Sequence, residues 1–337
     1  MRAIGSIALA ILMLAVAGGV AHAQNVNYAG TSAANFLKIS PISRNSAMGD
    51  APLSAGSGAG GVMFNPASVA GMPEGSITIS SMKWLVDTRI SYLAASYPLS
   101  PVSTAAIDID YFGTGDIDET TIAEQDGTGR VFNASDLMIG ATYAVKLTDR
   151  FSAGAKVKVI NENLSQAQAT AFAADIGSTF RTNFLNELEI NFVLSNFGSK
   201  MKFNGRDLEV LYTVPDSPTG KEVPARLKTE SWELPLLFRL GLETDVLRID
   251  NMRLHVAYQL LDSRDYQARH LVGAEFVYND FVYLRGGFKP NWDEASWSAG
   301  FGLNIRMPNM GRVLFDYAAT DWGVFGLVQQ FGVGFRF

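Results

Sequence analysis

Residues 331–337 read Phe-Gly-Val-Gly-Phe-Arg-Phe, FGVGFRF. Successive side chains of a β-strand point to opposite faces. Phe331, Val333, Phe335 and Phe337 therefore share one side, and Gly332, Gly334 and Arg336 the other. One side is wholly apolar and the other small or charged. Such a strand suits a wall with hydrocarbon on one side and a lumen on the other, as in a transmembrane β-barrel. The aromatic residue closing it resembles the signal that outer-membrane insertion machinery reads. If this stretch is a barrel strand, the rest of the chain has to repeat its grammar.

From Ser76 onward it does so. Segments of about ten residues alternate apolar with small or polar residues, as barrel strands do. The expected strands are Ser76–Lys83, Thr88–Pro98, Val102–Phe112, Ala134–Leu147, Phe151–Asn163, Thr170–Thr182 and Glu187–Phe197. Seven more follow: Glu233–Asp245, Asn251–Asp262, Ala268–Tyr278, Phe281–Lys289, Ala295–Arg306, Met310–Ala319 and Leu327–Phe337. The even-numbered links, LSP, TDR, NFLN, LRID, ND and MPN, are all short. The odd ones include the long Gly113–Asn133 and Gly198–Trp232. Outer-membrane barrels pair short periplasmic turns with longer outer loops. An even strand number with both ends in the periplasm puts the long links outside. All five tryptophans (Trp84, Trp232, Trp292, Trp297 and Trp322) stand at or beside odd links, where an outer interfacial belt is expected. A soluble sandwich predicts no such sorting. The fold class is therefore all-β, an antiparallel transmembrane barrel of about fourteen strands.

The beginning of the chain agrees. Met1-Arg2 precedes an apolar run from Ile4 to Val20, and Ala21-His22-Ala23 fits a cleavage site. The expected division is a signal peptide over 1–23, an N-terminal segment over 24–75 and the barrel over 76–337, with Gln24 first after cleavage. The expected location is the outer membrane of a diderm bacterium. The chain has no cysteine, which excludes disulfides, thiolate metal sites and a lipoprotein anchor. Its net charge of −6, with both signs scattered, gives no sign of a nucleic-acid partner.

Gly56-Ser57-Gly58-Ala59-Gly60-Gly61 fits the pattern G-x-G-x-x-G, which in dinucleotide enzymes joins a strand to a helix. Here no β-branched run precedes it, and Pro66 and Pro73 break any helix after it. No cofactor is expected. Small residues let backbone approach backbone closely, which suits a segment threaded into a narrow lumen as a plug. Phe36, Leu37, Ile39, Ile42, Met48, Leu53, Met63, Phe64 and Val69 argue against a solvated tail.

NFLKISPISRNSAMGDA (35–51), VMFNPASVAGM (62–72), LSNFGSKMKFNG (194–205) and ELPLLFRLGL (233–242) together resemble the PorV/PorQ family. The resemblance covers most of the chain after the leader. It implies a barrel with an N-terminal segment in its lumen and a non-enzymatic role in type IX secretion, with other secretion or surface proteins as partners. Met48, Gly49, Asn65 and Pro66 are assigned to the shared plug motif, in a structural role; Asn65 can close an Asx-type turn. The FadL group of hydrophobic-compound channels shares the N-P-A turn and a fourteen-strand barrel with an N-terminal hatch. A FadL-like channel for a small hydrophobic molecule is the alternative.

Alternation turns Lys156, Lys158, Arg239, Glu243, Arg253, Arg269, Glu275 and Arg285 into the lumen, with Asp108, Asp110, Glu189, His255 and Lys289. Charges of both signs can line a polar route or tie wall to plug. The cost of unpaired buried charge favours the tie. Catalysis lacks a constellation: His255 and His270 fall on different faces, and no spacing names a nucleophile. The acids of link Gly113–Asn133 lack EF-hand spacing, so a solvated loop rather than a calcium site is expected. In link Gly198–Trp232, Leu208, Val210, Leu211, Tyr212 and Val214 form an apolar cluster. It can hold a partner or fold back over the barrel mouth.

Overall fold

The computed structural model describes residues 30–214, 222–290, 292, 295–308 and 311–337. The leader 1–23 and residues 24–29 fall outside these. The wall consists of β1 (Ser76–Lys83), β2 (Arg89–Ser100), β3 (Ser103–Gly113), β4 (Ala134–Lys146), β5 (Phe151–Leu164), β6 (Ala167–Arg181) and β7 (Glu189–Gly198). It continues with β8 (Leu237–Ile249), β9 (Met252–Ser263), β10 (Tyr266–Tyr278), β11 (Val282–Phe288), β12 (Trp297–Met307), β13 (Gly311–Asp321) and β14 (Leu327–Arg336). Each strand pairs antiparallel with its chain neighbours, and β14 returns to β1, with Ser76 opposite Arg336 and Ser81 opposite Phe331. The fourteen strands close on themselves, so no edge is left unpaired.

The alternation sets the two faces. Outward residues such as Ile79, Leu93, Ile107, Ile139, Val157, Phe172, Phe192, Phe238, Leu284, Phe301, Phe315 and Phe331 are exposed around the barrel. An exposed apolar surface of that extent has lipid as its solvent. No helix among the described residues is long and apolar enough to cross a membrane; the strands make the crossing. The inward set is buried and polar: Ser76, Thr78, Ser80, Asp108, Asp110, Lys156, Lys158, Asp175, Arg239, Glu243, Glu275 and Arg285.

Expected and observed strands differ mainly at β8. The expected start was Glu233, but the wall strand begins at Leu237. Pro235 has no N–H for a ladder. Leu234 instead turns into an apolar cluster with Phe36, Leu37 and Met201. The far end runs on to Ile249 through an irregularity between Asp245 and Leu247.

The seam between first and last strands yields a prediction. Phe337 exchanges backbone hydrogen bonds with Gly75 in both directions, at 2.9 and 3.0 Å. Its ring stacks on Phe335 with centroids 5.6 Å apart. Replacing Phe337 by Asp puts a charge on an exposed apolar surface at the closure point. The level of folded barrel, read as the band that runs faster unheated than boiled, should fall several-fold more than for Arg336→Gln. Equal levels for the two variants would count against the seam's importance.

Candidate functional site

Residues 30–75 lie against the inner wall on all sides. A short helix, Ser43–Ala47, packs on β11 to β14. The glycine-rich stretch Ala55–Met63 lies on β1 to β3, and Pro66–Val69 on β4 to β6. Gly56 to Gly61 thus pack against the inner face of β1 to β3. Ala59 N–H donates to the Ser76 hydroxyl at 3.1 Å and Gly60 N–H to Thr78 at 3.2 Å. Gly58 sits at φ +59°, where glycine carries no Cβ penalty.

The four motif residues meet glycines of the wall. Asn65 caps the turn, its side-chain oxygen accepting from Ala67 N–H at 2.9 Å, while its amide donates to Thr179 and Asn191. A Cβ on Gly177 would stand 2.1 Å from Asn65 Oδ1, and one on Gly154 2.4 Å from the carbonyl carbon of Pro66. Met48 and Gly49 press in the same way on Gly273 and Gly287. Sequence reasoning missed these wall glycines. Their signal was available: Gly154, Gly177, Gly273 and Gly287 share the inward parity of Lys156, Asp175, Glu275 and Arg285.

The inward charges are largely tied. Lys156 pairs with Asp108 at 2.5 Å and Lys158 with Asp175 at 2.8 Å. Arg239 donates to Ser195 at 3.0 Å. Glu243 accepts from Leu53 N–H and the Ser54 hydroxyl, both at 2.6 Å. Glu275 bridges Arg44 of the N-terminal segment and Arg285 of the wall, and Arg285 continues to Asp316. Lys289 pairs with Asp50, and Lys38 with Asp265. Five contacts of this network join residues of the segment to the barrel. Arg44, Asp50, Asp265 and Asp316 were not singled out from the sequence, because their partners lie far away along the chain. Arg253 faces a polar cavity of about 450 Å³ beside Arg181, His255, Arg312 and Arg336, at the end carrying the short turns.

The two histidines are separated by the wall. His255 spends both ring nitrogens on carboxylates, Nδ1 on Asp245 at 3.0 Å and Nε2 on Glu243 at 3.2 Å. His270 meets the Tyr258 hydroxyl at 2.7 Å on the other face. No group of metal-ligating side chains occurs among the described residues. In the link Gly113–Asn133, Glu119 binds the Arg130 guanidinium at 2.6 Å. That hydrogen bond, with help from Thr128, holds its carboxyl below the usual range.

At the opposite end, bearing the long links, a cavity of about 360 Å³ is lined by Ile39, Met82, Trp84, Tyr266, Trp292 and Trp322, among others. Trp84 and Trp322 meet edge to face at 4.6 Å. Arg269 lies 4.1 Å from the ring centroids of both Tyr266 and Trp292. These three tryptophans therefore line the mouth rather than form a lipid belt; Trp232 and Trp297 are exposed. Beyond the mouth, Glu209–Thr213 pairs with Glu222–Arg226 in a separate hairpin. Val210, Leu211, Tyr212 and Val214 are exposed on it, while Leu208 is half-buried.

A family model described as "Type IX secretion system protein PorV" matches residues 22–213, more than half of the chain. The chain belongs to the PorV family. This is a non-enzymatic family, and the barrel is an outer-membrane protein. No curated relative matches. Among solved structures, the toluene transporter TbuX of Ralstonia pickettii is similar at TM-score 0.55 and 13% identity, over 88% of this chain and 97% of that one. A FadL homologue of Pseudomonas aeruginosa is similar at TM-score 0.54 and 10% identity, over 88% and 97%. The Pseudomonas putida toluene transporter TodX gives TM-score 0.54 and 11% identity over the same shares. At such identities the likeness concerns the fold.

Proposed function

We propose that this PorV-family barrel holds partner or cargo proteins at the cell surface during type IX secretion, with residues 24–75 acting as a plug. Residues 1–23 are its cleaved export signal, and the barrel over 76–337 is its membrane anchor. What supports the reading is a contrast along the axis. The lumen is filled by a segment bonded to the wall through Arg44–Glu275, Asp50–Lys289 and Ser54–Glu243. Beyond the mouth, Val210, Leu211, Tyr212 and Val214 are exposed above the lipid-facing surface. Exposed apolar residues on a long link are a mark of an interaction surface. Glu243, Glu275 and Lys289 tie the plug, and Met48, Gly49, Asn65 and Pro66 seat it.

Removing Leu208–Val214 should leave the barrel folded, by its heat-shifted mobility, and lower surface delivery of a type IX reporter about tenfold. Unchanged delivery would sink the reading. A second reading, a channel for a small hydrophobic compound, is favoured by the aromatic cavity at the mouth. It gains if uptake of such a compound needs the barrel and survives the same deletion.

A further inference from the structure

The hairpin Glu209–Thr213/Glu222–Arg226 has two unlike faces and two unlike edges. Its pairs are Val210 with Ala225 and Tyr212 with Val223 on one face. Leu208 joins that face next to Leu227, whose N–H donates to the Leu208 carbonyl at 2.8 Å. With Val214, the described residues of this face are all apolar, and Tyr212 and Leu227 on it are half open to solvent, at 50% and 54%. An isolated two-stranded hairpin is marginal in water, and a third strand is what such a face lacks.

The edges decide where that strand goes. Hydrogen-bonded and non-bonded pairs alternate in an antiparallel ladder. The Leu227–Leu208 bond therefore places Leu211 and Pro224 in a non-bonded pair, their backbone groups turned outward. On the strand Glu222–Arg226, the outward position at its centre is Pro224, which has no N–H to give. On the strand Glu209–Thr213, Leu211 offers both N–H and C=O, flanked by those of Glu209 and Thr213. All five residues of that strand are exposed, and among the described residues the hairpin's sheet has two strands. One edge is closed by proline and the other is open.

We infer that the Glu209–Thr213 edge takes up an extended segment of a partner protein as a third β-strand. The inference rests on the partner-holding reading above and specifies its mode. Main-chain bonds supply affinity in strand addition, and alternate side chains supply selectivity. The segment is apolar at every second residue, to continue the face of Val210, Tyr212 and Val214. Between these it carries Lys or Arg. The opposite face of the hairpin shows the carboxylates of Glu209 and Glu222 against the single guanidinium of Arg226, 3.7 Å from Glu209.

Leu211→Pro removes the outward N–H without touching a bond inside the hairpin, and edge strands tolerate proline. In this cysteine-free chain, a Thr213→Cys/Glu222→Cys disulfide formed in the same variant reports that the hairpin is intact. Measured against the disulfide-bearing parent, which already lacks the Glu222 carboxylate, L211P should lower delivery of a type IX reporter about tenfold or more, as far as deletion of 208–214 does. Leu211→Thr, which keeps the N–H, should lower it about threefold at most. If the deletion abolishes delivery while L211P delivers as well as L211T, strand addition is wrong and the partner-holding reading survives. If the deletion itself changes nothing, the partner-holding reading falls first.

Discussion

Glu275→Leu should destabilise the folded barrel by about 3–5 kcal/mol, the range for removing one partner of a buried ion pair. Glu275 accepts from Arg44 Nε and a terminal Arg44 nitrogen, both at 3.1 Å, and from Arg285 Nε at 2.7 Å. All three side chains are buried. Leucine would leave two guanidinium groups facing each other, with Asp316 the carboxylate still in direct contact, 2.6 Å from Arg285. The loss also cuts a tie between the N-terminal segment and the wall, so unfolding should begin there. The measurement is the temperature or urea concentration at which the compact band in unheated gels is lost. Glu275→Gln keeps one acceptor oxygen in place of two and fills the same space, so it should lose less. Asp87→Asn is the contrasting case, since the Lys83–Asp87 pair is largely in solvent at 71% and 85% exposure and such pairs add little. If E275L behaved like D87N, the ionic tie would not be holding the segment.

The wall was legible in the sequence because membrane and lumen impose opposite demands on neighbouring residues. Phe331 and Val333 are exposed while Gly332 is buried, as FGVGFRF implies, and strands such as β2 and β6 repeat the pattern. The short turns follow from the same closure. The limits of legibility are equally physical. Pro235 shows how one residue without an N–H moves a strand start that hydropathy alone puts at Glu233. The inward direction of Lys156 and Glu275 could be read from parity, but their partners could not. Asp108 lies two strands before Lys156, and Arg44 is separated from Glu275 by most of the wall. The tryptophans follow the same rule. Position in the chain sorted them to the outer end, but only the packing of Trp84 on Trp322 shows that these two turn toward the mouth. Glycines carried the least signal, having no side chain to contribute to periodicity, yet they mark where the N-terminal segment seats.

That seating leads to the second large effect, and two adjacent glycines of β11 isolate it. A Cβ on Gly287 would stand 2.0 Å from the backbone nitrogen of Gly49 and 2.4 Å from the carbonyl carbon of Met48. A Cβ on Gly286 would meet nothing within 4 Å, because it points out of the barrel. Both positions carry the same propensity change on substitution, so any difference between Gly287→Val and Gly286→Val reports the lumen contact. The clash cannot be relieved by a rotamer, because the opposing atoms are backbone. Gly49 is itself held at φ +64°, with its N–H on Ser298 at 3.1 Å. Overpacking a tight site usually costs about 1–3 kcal/mol. Here the cheaper escape is for residues 43–50 to leave the wall, which also breaks Arg44–Glu275 and Asp50–Lys289. G287V should therefore assemble poorly, and its folded fraction should be cut by protease within residues 30–75. G286V should resist as the parent does. Equal protease resistance and equal assembly of the two variants would mean that the segment is not seated on this glycine.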